Sequence, residues 1–146
     1  MCAREKRPAM SDTETPEART DPSPVVKHAA EVEHAEVDAG EGMSKAVLLD
    51  ESDGAPNFSM RRFTLAPGAT VPRHTNEVEH EQYVLSGEYT VTFGREDDAE
   101  QHRVSAGSTM LIPAGVVHSY HNDGDGEAAF ICVVPHGDDT IRILDE

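Results

Sequence analysis

The stretch "HTNEVEHEQYVLSGE", running from His74 to Glu88, carries two histidines six positions apart on the way into an apolar run. Side chains two apart on a strand share a face, so the parity of each position says which of them look into one space. His74, Asn76, His80, Gln82 and Val84 are all even, whereas Glu79, Glu81, Tyr83 and Leu85 belong to the other face. A strand that stays regular from 74 to 84 turns both imidazoles the same way, and a bulge is what would break that inference. Asn76 stands where a third metal-binding side chain would be convenient. The two glutamates read as a solvated strand surface.

Outward from this stretch, short apolar runs recur about every eight to twelve residues: "KAVLL", "FSMRRFTLA", "EQYVL", "YTVTF", "HRVSA", "STMLI", "VHSYHN", "AAFICVV" and "IRIL". Turn residues separate them, as in "APG" at 66–68, "SGE" at 86–88, "PAG" at 113–115 and "NDGDGE" at 122–127. No segment sustains a helical period. The pattern predicts an all-β sandwich or barrel in a single domain over 25–137. Ahead of it, residues 1–24 are polar and rich in Pro, Thr, Asp, Glu and Arg, so they read as a disordered tail. "PVVKHAAEVEHAEV", from 24 onward, reads as an edge strand or short arm with His28 and His34 facing solvent. Residues 138–146 form a C-terminal strand and acidic tail.

The chain has 146 residues and a formal charge of −16, with only three lysines. So negative a surface repels phosphate backbones, which excludes nucleic acid as a partner. The acidic, lysine-poor balance is also the solubility device of a protein in a salty cytoplasm. No apolar run approaches the length a bilayer needs, so no membrane span is expected. The basic start, "MCAREKRPAMSDTETP", leads into no apolar signal core, and the cytoplasm is the expected compartment. Cys2 and Cys132 lie in a polar tail and an apolar strand respectively, a pattern of reduced thiols rather than of a disulfide framework.

A third histidine joins the first two by the same parity. In "PAGVVHSYHN", His118 shares its face with Val116, Tyr120 and Asn122, and His121 points away. Neutral imidazoles converging inside a small barrel suit Mn, Fe, Ni, Cu and Zn. Any one of these histidines alone is as readily a core or surface residue; the triplet is what points to a metal.

These residues carry a family resemblance. "GATVPRHTNEVEHEQYVLSG" resembles the first cupin motif, with Gly68, His74, Asn76, His80 and Gly87 at its marked positions, and "GSTMLIPAGVVHSYHN" resembles the second, with Gly107, Pro113, Gly115, His118 and Asn122. Together they span about 55 residues, and the strand pattern extends the likeness over 25–136. "GAPNFSMRRFTLAPG" followed by "EHEQYVLSGE" is similar to the small single-domain cupins with a four-histidine site, often called manganese cupins. The resemblance implies a jelly roll of about six to eight strands, a homodimer, and one divalent transition metal (Mn, Fe or Ni first, Zn or Cu next). In that family a histidine usually occupies the place of Asn76. The implied set is therefore His74, His80 and His118, with Asn76 a weak ligand, a partner of a bound water, or the sign of a lost metal.

The periodicity of "AAFICVV" leaves open which of its two faces is inward. By resemblance, Phe130 and Cys132 line the cavity with Phe58 and Met60. Gln82 shares the face of His80 and Tyr120 that of His118, so each is as readily a substrate-orienting group as a core side chain or a support for the ligands. No catalytic residue is identified. The expectation is a metal-dependent enzyme, of dioxygenase type, on a small organic substrate. The alternatives are a non-catalytic ligand-binding barrel and a metal-dependent isomerase or decarboxylase.

Overall fold

A computed structural model of the chain describes residues 22–137 and 140–144. Most of the expected tail, Cys2 within it, and the acidic ends at 138–139 and 145–146 lie outside these residues. The described residues hold ten strands and short 3-10 turns, with no α-helix: β1 (Ala35–Glu36), β2 (Glu41–Leu49), β3 (Phe58–Asn76), β4 (His80–Ser86), β5 (Glu88–Phe93), β6 (Glu100–Ser105), β7 (Thr109–Ile112), β8 (His118–His121), β9 (Ala128–Pro135) and β10 (Ile141–Ile143). The architecture is the expected all-β one. The strands beyond eight are the two short edge pieces β1 and β10. The region expected as an arm supplies β1 and a single 3-10 turn at Ala29–Glu31.

The strands form one curled sheet in the order β6-β5-β8-β3-β9-β4-β7, with β2 and β10 also paired to β3. β3 is the long spine that makes the curl possible. Its first part, Phe58 to Leu65, pairs with β9, and its later part, Thr70 to His74, pairs with β8. The "APG" stretch, read as a turn from sequence, is instead a corner within this strand. Gly68 there takes φ +81°, a conformation that a side chain disfavours. Asn122 pins the corner: its Nδ2 donates to the carbonyls of Leu65 (2.9 Å), Ala66 (3.1 Å) and Gly126 (3.0 Å), and its Oδ1 accepts from Gly124 N (3.0 Å).

β4 and β5 meet at Gly87, which has φ +77° and would place any Cβ 2.5 Å from the Glu127 carbonyl oxygen. The inner faces close on a core centred on Phe130, whose ring lies 5.2 Å from Phe63, 5.6 Å from Tyr120 and 5.7 Å from Tyr89. Leu65, Val84, Val91 and Ala128 complete the packing around it. Burial of a side chain like Phe130 contributes roughly 1.5–3 kcal/mol.

Candidate metal and substrate site

Alternation along β4 buries His80, Gln82 and Val84 and exposes Glu81 and Tyr83, as parity requires. Along β3 the alternation changes phase. Arg61, Phe63, Leu65, Ala69 and Val71 are buried at odd positions, then His74 and Asn76 at even ones. Between Val71, opposite Tyr120, and His74, opposite His118, β3 carries one residue more than β8. That single-residue bulge swings the strand's inner face over by one position.

His74 and His118 thus face each other across the β3–β8 ladder, with ring centroids 4.2 Å apart. Each donates its Nδ1–H to a backbone carbonyl two residues earlier: His74 to Pro72 O (2.8 Å) and His118 to Val116 O (2.9 Å). A carbonyl can only accept, so both rings hold their proton on Nδ1 and present the Nε2 lone pair inward. Outer hydrogen bonds of this kind orient imidazoles that bind metals.

His80 is fixed differently. Its Nδ1 lies 3.1 Å from the Cys132 Sγ, which also receives the Arg61 Nη2 at 3.5 Å. Burial pushes the Cys132 thiol up, but the His80 hydrogen bond and the charges of His80 and Arg61 outweigh it and hold the thiol below its ordinary range. The other members of the expected set are Asn76 and Gln82. Both are buried, and Asn76 Oδ1 and Gln82 Oε1 have no hydrogen-bond partner. Gln82 spends its amide nitrogen on the Tyr120 hydroxyl at 2.9 Å. Burial pushes the Tyr120 phenol far above its ordinary range, so it stays a neutral donor.

A cavity of about 210 Å3 opens between these elements. His74, Asn76, His80, Gln82, Tyr120 and Phe130 line it. Cys132 lies behind that wall, wholly buried. Three sequence expectations are thereby corrected, that of Cys132 first. Phe58 is 59% exposed, and Met60 lines a separate groove beneath residues 25–32. Both sit on the even, outward parity that holds for the first part of β3, before the bulge. Their places are taken by Arg61 and Phe63, with Met43 and Lys45 from β2. The phase of Arg61, Phe63 and Leu65 was visible in the sequence; the bulge that separates it from that of His74 was not. Asn122, which shares the parity of His118, pins the β3 corner and leaves the cavity to others.

The donors suit a divalent transition metal: imidazoles with Nε2 turned inward and two buried amide oxygens with no hydrogen bond of their own. Among the described residues, no three His, Cys, Asp or Glu side chains converge as a ready-made cluster.

A family model described as "Cupin domain" matches residues 61–134. An uncharacterized protein of Streptomyces coelicolor is 30% identical over 92 residues, covering 53% of this chain and 84% of that protein. Among solved structures, the polyketide cyclase RemF from Streptomyces resistomycificus superposes with a TM-score of 0.77 at 25% identity, over 85% of this chain and 87% of that one. An oxalate oxidase superposes with a TM-score of 0.65 at 23% identity, over 82% of this chain and 63% of its own.

Proposed function

The chain belongs to the cupin domain family, and from that membership we propose that it is a metal-dependent enzyme of dioxygenase type acting on a small organic substrate. The observation that carries this reading is the matched pair His74 and His118. Each is locked by a carbonyl on Nδ1, and His74 lines the same cavity as the unbonded amide oxygens of Asn76 and Gln82. His74, His80 and His118 would hold Mn, Fe or Ni, with Zn or Cu next, and Asn76 would complete the set through Oδ1. For His80 to offer Nε2, its Nδ1–H must donate to the Cys132 sulfur, which then plays the part that Pro72 and Val116 carbonyls play for the other two. A metal there supplies positive charge to polarise a carbonyl or enolate and, where it changes valence, an electron for oxygen.

The chain's own residues do the rest. The Tyr120 hydroxyl, having accepted from Gln82, keeps a proton to donate to a substrate oxygen. Phe63 and Phe130 wall the cavity against water. The likeness to a polyketide cyclase favours a second reading, in which the same site serves isomerisation, decarboxylation or ring closure without oxygen. A ligand-binding barrel without turnover is the third.

Chelator-treated protein reloaded with Mn, Fe or Ni and offered diketones, catechols and small carboxylic acids separates the three. Metal-dependent oxygen consumption supports the dioxygenase. Metal-dependent turnover that is unchanged without oxygen supports the second reading. Binding without turnover under any loading supports the third.

A homodimer, a cytoplasmic setting and an acidic surface suited to high salt belong to the same proposal. The dimer is supported by an apolar outer face on adjacent strands, where Tyr83 lies opposite Ile131 and Leu111 stands 60% exposed. A solution mass of one chain would count against it. Cys132, a free buried thiol, supports the reducing compartment.

A further inference from the structure

Two of the chain's 12 lysines and arginines line the cavity, Lys45 and Arg61, and none of its 28 aspartates and glutamates does among the described residues. In a chain of net charge −16 the sign is reversed along this cavity's own wall, although the same two cations also border an adjoining groove that Asp50 and Glu51 line. Arg61 is buried at 9% exposure, its guanidinium 5.3 Å from the centroid of the Phe63 ring and Nη2 on the Cys132 sulfur. Aromatic and sulfur contacts of this kind hold a planar guanidinium in place. Lys45 lies opposite Phe63 on β2, and Arg61 opposite Val47, so the two cations are diagonal neighbours on the inner face of the sheet. Apolar and aromatic groups make up much of the remaining wall: Met43, Phe63, Val71 and Phe130.

From this we infer that the cavity selects a small anionic substrate, an aromatic or similarly flat carboxylate whose charged group is held by Arg61 and Lys45. It rests on reading this cavity as the substrate site and names the substrate class. A cation buried in a low-dielectric wall attracts a carboxylate far more strongly than one in water. The guanidinium also meets both carboxylate oxygens at once. Cys132 touches both Arg61 and His80, so the carboxylate end of a ligand lies one sulfur away from the imidazole end of the cavity. At about 210 Å3 the space falls below the roughly 300–1,000 Å3 of pockets for drug-sized ligands. One substituted ring fits the scale; a sugar chain or a polycycle does not.

The probes are benzoate and its uncharged isostere benzamide, titrated calorimetrically into the full chain as purified and after chelator treatment. Benzoate is expected to bind roughly tenfold to hundredfold tighter than benzamide in both preparations, the size of a charge-assisted pair. Arg61→Met should abolish that preference and Lys45→Met should reduce it. Equal binding of the two probes to the wild type, or no benzoate binding, overturns the inference even if Arg61→Met fails to fold. A benzoate preference that survives in folded Arg61→Met overturns it as well. Preference lost on chelation alone would place the carboxylate on a metal, overturning this inference while supporting the proposed function. Preference kept after chelation supports the anion site whether or not the metal reading stands.

Discussion

Asn76 is the residue at which local chemistry and stability pull apart. Its Oδ1 is buried without a hydrogen bond, a state that costs a protein roughly 1–3 kcal/mol when nothing occupies the acceptor. Natural chains tolerate such a group mostly where function needs it. Asn76→Leu removes the unmet acceptor at similar volume. Chelator-treated Asn76→Leu should therefore be about 1–3 kcal/mol more stable than chelator-treated wild type, read by denaturant unfolding, and should bind added metal more weakly. A less stable variant would show that Asn76 serves packing. At this scale part was legible: alternation pairs His74 with Asn76 on β3 and His80 with Gln82 on β4, and turns His118 inward. That the two pairs share one cavity did not follow from it, because β3 ends at Asn76 and residues 77–79 break the single strand that parity assumed. The tautomers did not follow, because they depend on the Pro72 and Val116 carbonyls, whose positions are set by backbone geometry.

At the scale of the element, β3 decides what each part of the site can see. The positions of most strands were readable from apolar runs and turn residues, since both signals are local. The change of phase along β3 was not, because its bulge comes from pairing with β8, nearly fifty positions away in the chain, and no local pattern announces it. The resemblance placed Phe58 and Met60 inside, whereas the phase of the first part of β3 turns them out and brings Arg61 in. The corner at Gly68 is held by the Asn122 side chain beside backbone hydrogen bonds from Gly68 N to Asn122 O (2.8 Å) and from Asn122 N to Ala69 O (2.9 Å), and Asn122→Ala should still be costly. It strands the Leu65 and Ala66 carbonyls and should destabilise the fold by roughly 1–3 kcal/mol for the unmet groups, with circular dichroism of the folded state unchanged. A loss within a few tenths would mean water replaces the amide.

For the whole molecule, the core and the site share their aromatic residues, so folding and protonation are linked. Burial pushes the phenols of Tyr89 and Tyr120 far above their ordinary range, reinforced for Tyr89 by the neighbouring Tyr120 and Cys132. Both folded values are raised. Their stabilisation is therefore intact below the unfolded phenol's value of about 10 and is lost as pH climbs beyond it. Alkaline titration should show the phenolate absorbance of these two tyrosines arising together with loss of the fold. Phenolate at both positions in a still-folded chain would contradict their burial.

Metal content, measured by mass spectrometry on protein purified without an affinity tag, tests the central claim most directly, with the His74→Ala/His118→Ala double variant beside it. A near-stoichiometric transition metal is expected in the wild type, with its loss in a folded double variant. A wild type free of metal, or a double variant that keeps as much, would contradict it.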